Sequence, residues 1–297
     1  MATPPEPELS PPFLITAPEG GTLSPFVFNS PHSGRIYPRS FLAASRLDLM
    51  TLRRSEDSFV EELFSGAVGL GAPLMQARFP RAFVDVNREA YELDPAMFDG
   101  RLPSFANTRS MRVAGGLGTI ARIVADGAEI YRRPIGVAEG LDRIERYYKP
   151  YHRALRQLVE QSRRLFGTAV VIDCHSMPSA RMTQEARRRP DFVLGDRYGT
   201  SCASILTDVA QETLQRLGYT VARNKPYAGG FITETYGSPA TGVHALQIEI
   251  NRALYMDETR YIRAGGFAWL MADITHLCRR LMSISAEALR PGRQAAE

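Results

Sequence analysis

Residues 169–178, Ala-Val-Val-Ile-Asp-Cys-His-Ser-Met-Pro, constrain the chain most. Ala169, Val170, Val171 and Ile172 form a short, mostly β-branched run of the kind that fills a buried strand. The run passes directly into Asp173, Cys174, His175 and Ser176, ahead of Pro178. Polar side chains therefore sit where a strand leaves its sheet, which is where open α/β sheets bind ligands. Two other segments repeat the pattern. The run Pro25–Asn29 leads into His32-Ser33-Gly34, and the strand-like stretch Ala245–Asn251 carries Glu249 among apolar neighbours. The three strand ends are expected to converge on one site.

Further strands are expected over 192–196 and 219–222, and the last confident one over 243–250. Helical patterns cover 135–166, 204–217 and 261–280, with Pro150 expected to interrupt or restart the first of them. This alternation favours an α/β fold, a single domain with a central mixed or parallel sheet flanked by helices. A proline-bearing irregular lead-in is expected over 1–20, the domain over 21–285 and a flexible tail over 286–297. Gly115-Gly116-Leu117-Gly118 does not complete a dinucleotide fingerprint and reads as a turn.

Composition narrows the function. The chain has 297 residues, 44% hydrophobic and 23% charged, as ordinary globular proteins do. A net charge of +4 comes without a long basic stripe. Arg187-Arg188-Arg189 and Arg279-Arg280 are short and read as solvated faces, so no nucleic-acid partner is expected. No apolar run has membrane-spanning length, and residues 1–21 lack the layout of a secretory leader. Three widely spaced cysteines, with no CxxC pair, exclude a cysteine-built zinc site and suit free thiols in a reducing, cytoplasmic setting.

Metal-assisted hydrolysis of a carbonyl compound requires nitrogen or oxygen ligands, a carboxylate base and a cation for the developing negative charge. His32 and His175 are ligand candidates; either could instead cap its turn. Asp57, with Glu56 beside it, is a candidate hard ligand or a helix N-terminal cap. Period-two alternation puts Gln247, Glu249 and Asn251 on one strand face. Glu249 is a candidate general base, or half of a buried pair with Arg252. Arg81, Asp85, Asn87 and Arg88 could clamp a carboxylate or hold a loop. His152 and His276 default to packing or exposure. Ser176 lacks the GxSxG elbow, and Cys174 points away from its neighbour His175 if both lie on a strand.

Several long stretches resemble the N-formylglutamate amidohydrolase family. They are SPHSGRIYP (30–38), LRRSEDSFVEELF (52–64), ARFPRAFVDVNREAYELDP (77–95), VIDCHSMPS (171–179), FVLGDRYG (192–199), KPYAGGFITETYG (225–237) and GVHALQIEINRALYMDE (242–258). That family is similar to zinc carboxypeptidases and aspartoacylase-like deacylases, which implies a zinc-carboxypeptidase-like α/β sheet and one Zn2+ per chain. By resemblance, His32, Asp57 and His175 are the metal ligands and Glu249 the catalytic glutamate. Asn87-Arg88 resembles a pair gripping a substrate α-carboxylate, with Arg81, His244 and Arg252 as further substrate contacts. The implied substrate is a small dianionic N-acyl amino acid, N-formyl-L-glutamate, split into formate and L-glutamate. Another N-acyl amino acid or short peptide, or a non-catalytic small-anion binder on the same fold, are the alternatives. The chain departs from the HxxE spacing of the carboxypeptidases, since residues 32–35 read His-Ser-Gly-Arg. The carboxylate ligand therefore comes from further along, at Asp57 or Glu56.

Overall fold

The computed structural model describes residues 6–124, 127–179 and 189–291. Seven strands form one mixed sheet flanked by helices: β1 (Phe13–Thr16), β2 (Phe26–Ser30), β3 (Leu74–Ala77), β4 (Ala169–Met177), β5 (Phe192–Gly195), β6 (Val221–Arg223) and β7 (Val243–Asn251). Their order is β1-β3-β2-β4-β7-β5-β6. β4 runs parallel to both β2 and β7. β5 is antiparallel to β7 and parallel to β6. The α/β mixed sheet expected from the alternation is present. The lead-in 1–20, expected to be irregular, supplies β1 at the sheet edge. Of the tail, residues 286–289 form a 3-10 turn, and 292–297 lie outside the described residues, as do Arg187 and Arg188.

Packing divides the chain into two compact units. The first comprises Met1–Leu14, Pro31–Ser58 and Gln76–Leu155. It is built around aromatic rings. Phe41 meets Phe83 and Tyr131 edge-on, and Phe79 and Phe83 both meet Tyr147. The buried Arg143 guanidinium lies 4.3 Å over the Phe83 ring and donates to the Tyr131 hydroxyl at 2.7 Å. That cation is satisfied by π faces and hydrogen bonds together, as a buried charge must be. The helical stretch is α1 (Val137–Arg143), a π-helical turn over Ile144–Tyr148, and α2 (Lys149–Phe166). The interruption thus precedes Pro150. The helix runs on through that turn into α2, and the wider turn directly ahead of Pro150 accommodates its ring and missing N–H.

The second unit comprises Ile15–Ser30, Phe59–Met75 and Arg156–Glu297. It contains α3 (Ser204–Arg216), α4 (Phe231–Tyr236) and α5 (Phe267–Met282). Its core follows strict strand alternation. Phe26 and Phe28, then Val170, Ile172 and Cys174, then Leu246, Ile248 and Ile250 all pack with Leu206, Ala210 and Leu214 of α3 and Leu270, Ile274 and Leu277 of α5. The intervening residues on these strands leave the opposite face, and they include Asn29, Asp173, His175, Gln247 and Glu249.

Candidate metal centre and active site

Beyond Ser30 the chain turns through Pro31, His32, Ser33 and Gly34. A Cβ on Gly34 would fall 2.0 Å from the Phe79 carbonyl oxygen, so only glycine lets the turn seat this closely. Ile36 N–H donates to the Arg78 carbonyl at 3.0 Å in the same contact. The seating brings Asp85 to His32, with Asp85 Oδ1 at 2.7 Å from His32 Nε2. Asp85 Oδ2 accepts from Arg81 Nη2 at 2.7 Å and lies 3.7 Å from Arg88 Nη2. Burial opposes ionisation of Asp85, but Arg81, Arg88 and His32 outweigh it and hold its carboxyl well below the usual carboxylate range.

An ionised acceptor at Nε2 assigns the His32 proton to that nitrogen and leaves Nδ1 as the basic one. His32 Nδ1 lies 3.5 Å from Asp57 Oδ2. The Asp57 N–H also donates to the His32 carbonyl, at 3.0 Å. Glu56 is differently employed. Its carboxylate accepts from Tyr37 and Ser58 hydroxyls, each at 2.8 Å, and from Arg53. Of the two acids, Asp57 therefore faces the imidazole.

On β4, Asp173 and His175 are two residues apart and leave the same face. His175 Nε2 lies 3.0 Å from Asp173 Oδ2. Asp173 Oδ1 accepts from Asn29 Nδ2 at 2.9 Å, and Asn29 is its register partner on β2. Cys174 points into the apolar core, where burial pushes its thiol well above its ordinary value. A Cys174–His175 nucleophile pair is thereby excluded. Glu249 on β7 is the register partner of His175. Gln247 Nε2 donates to Glu249 Oε1 at 2.9 Å. Arg252, buried just beyond β7, donates from Nε to Ser176 Oγ at 3.1 Å.

His244 lies towards the other end of β7. It is paired in register with Val170, near the start of both strands, five residues before Glu249. Its Nε2 lies 2.7 Å from the Leu289 carbonyl and its Nδ1 accepts the Ala203 N–H at 3.1 Å. Both ring nitrogens are thus spent on backbone, and burial lowers the pKa of the ring.

Among the described residues, His32, Asp57 and His175 form a buried group whose ligand atoms lie within 4.8 Å of one another. Two imidazole nitrogens and one carboxylate oxygen are a donor set that zinc accepts with a coordination position to spare. Each histidine is backed at Nε2 by a carboxylate, Asp85 or Asp173. Such backing is the usual means of orienting a metal-binding imidazole. The group could therefore hold a metal ion. Asp85 was legible only as part of a polar cluster, and Asp173 only as a strand-end acid. The D-x-H spacing on a strand was the signal that would have joined Asp173 to His175.

A mixed-sheet α/β protein with a buried two-histidine, one-carboxylate group is the class defined by fold and donor set. Residues 24–256 match the N-formylglutamate amidohydrolase family, and the chain belongs to it. It is 30% identical over 208 residues to N-formylglutamate deformylase of Pseudomonas putida, covering 68% of this chain and 71% of that protein. The Pseudomonas aeruginosa N-formylglutamate deformylase is 32% identical over 207 residues, with the same coverage. Among solved structures, N-formylglutamate amidohydrolase from Ralstonia eutropha superimposes with a TM-score of 0.85 at 39% identity, covering 94% of this chain and 98% of that one. A gene product of Agrobacterium tumefaciens shares the fold at a TM-score of 0.62 and 18% identity, covering 91% and 94%.

Proposed function

We propose that the protein is a zinc-dependent amidohydrolase that converts N-formyl-L-glutamate to formate and L-glutamate. The observation that carries the reading is the buried His32, Asp57 and His175 group, with a carboxylate behind each imidazole, in a chain of this family. Zinc held there would polarise the formyl carbonyl and acidify water. Glu249, beside His175 in register, takes a proton from the attacking water and passes it to the amide nitrogen as the C–N bond breaks. Water oxygen ends in formate and the proton on the glutamate amine.

Arg88, with Asn87, is assigned to the substrate α-carboxylate. Arg252 is assigned to the side-chain carboxylate: its Nε donates to the hydroxyl of Ser176, the residue after His175. Arg81 shares Asp85 with Arg88 and steadies that pair. The three cysteines are buried and unpaired, which suits a reducing compartment such as the cytoplasm. No helix among the described residues is long and apolar enough to cross a membrane.

The test is formate release from N-formyl-L-glutamate by zinc-loaded and chelator-stripped protein, with N-acetyl, N-succinyl and N-formyl-aspartate analogues alongside. Metal-dependent release favouring formylglutamate is expected; preferred turnover of another analogue would replace the substrate. Glu249→Gln should keep zinc and lose roughly 10²–10⁴-fold in turnover, whereas His175→Ala should lose both. Wild-type turnover in Glu249→Gln would remove Glu249 as the base.

A further inference from the structure

Gln247 is given no part in the chemistry above, yet it joins two features of the second unit. It precedes Glu249 by two residues on β7, so the two side chains leave one face. Its Oε1 accepts the Gly230 backbone N–H at 2.7 Å, and its Nε2 donates to Glu249 Oε1 at 2.9 Å. A backbone N–H can only donate, which fixes the amide orientation and leaves the NH2 end for the carboxylate. The Gly230 N–H is in turn placed by Gly195, the register partner of Gln247 on β5. A Cβ at Gly195 would stand 2.8 Å from Ala228 C and Gly229 N, so its absence lets the loop backbone lie against β5. The loop is fastened on that seat by the Arg197 N–H on the Ala228 carbonyl at 2.7 Å and the Thr233 hydroxyl on the Gly230 carbonyl at 2.8 Å.

We infer that Gln247 is a positioning residue for the reaction, holding the Glu249 carboxylate in one orientation and tying that orientation to the seating of the 228–230 loop. The inference rests on the assignment of Glu249 as the base. A hydrogen bond to an ionised carboxylate is among the strong ones, and its direction selects which rotamer the acid adopts. A reacting group displaced by about 1 Å can cost roughly a hundredfold in rate. Gln247 is placed to prevent that displacement. On the flanking strands the neighbours of Glu249 in register are His175 and Val193, and Gln247 itself is the amide beside it on β7.

The experiment measures kcat and KM for formate release from N-formyl-L-glutamate by the full-length, zinc-loaded enzyme, with zinc content assayed on the same samples. Gln247→Met keeps the length and removes both bonds. Gln247→Leu removes both bonds with a different apolar shape and adds no charge beside Glu249. Both should lower kcat by about ten- to a hundredfold, the worth of a hydrogen bond to a charged group, with KM within about twofold and zinc content at the parent level. Gly195→Ala should show the same split, and Gly195→Ala with Gln247→Met should be no worse than Gln247→Met alone, since both act on one line of contacts. If Gln247→Met does not fold, Gln247→Leu carries the test. A kcat within about twofold of the parent in either folded Gln247 variant would overturn the inference while leaving Glu249 in place. Full turnover in Glu249→Gln would instead overturn the reading on which it rests.

Discussion

Asp85 and Asp173 each hold the Nε2 side of a candidate ligand histidine, but their surroundings differ. Asp85 is flanked by Arg81 and Arg88, while Asp173 meets the neutral amide of Asn29. Asp85→Asn and Asp173→Asn should each weaken zinc binding by about 10–100-fold, read by competition with a chromogenic chelator. Unchanged affinity in both would mean that the imidazoles are oriented by something else. At this scale the histidines of the candidate group were legible and the carboxylates beside them were not. His32 and His175 stand out as histidines ending apolar runs. Asp85 lies fifty-three residues from His32 in sequence, and only the close approach at Gly34 brings it there. The two backbone partners of His244, Leu289 and Ala203, are likewise distant in sequence and invisible to strand periodicity.

Single elements were read best where burial enforces a period. α3 and β7 fall within a residue or two of their expected limits because their apolar faces must meet the core. The terminal helix begins later than expected, at Phe267, since residues 262–263 pair with 256–257 as a two-residue ribbon. Local pattern could not separate that ribbon from a first helical turn. The π-helical turn before Pro150 was likewise illegible, because a proline signals a break in the helical hydrogen-bond ladder without fixing the form it takes. α5 is fixed by packing, not by caps: Gly266 makes no side-chain cap, and Ile274 and Leu277 are fully buried. Ile274→Ala should therefore destabilise the protein by about 2–5 kcal/mol in denaturant unfolding. A loss under about 1 kcal/mol would show that the helix contributes little to that core.

For the molecule as a whole, the three thiols make a simple probe. Burial raises all three, Cys202 to about 12. A thiol is reactive as its thiolate, and at pH 8 the native protein holds almost none. An aromatic disulfide reagent should therefore titrate none of the three in the folded protein and all three in denaturant. Fast reaction of one thiol in the native state would locate an opening in the second unit, to which all three belong. The fold class was legible because strands and helices alternate along most of the chain. The antiparallel placement of β5 was not, since nothing local to Phe192–Gly195 records the direction of its neighbour.

The alternation along β4 also has a genetic consequence. Val170, Ile172 and Cys174 belong to the core, while Asp173 and His175 leave the other face. Removing one codon between 169 and 172 preserves the reading frame yet moves every later side chain of the strand to the wrong face, if its start stays paired. In a library of coding variants, such a deletion should behave like a truncation, although conservative replacements such as Val171→Ile at neighbouring codons pass unnoticed. The strand tolerates changes of residue far better than changes of count.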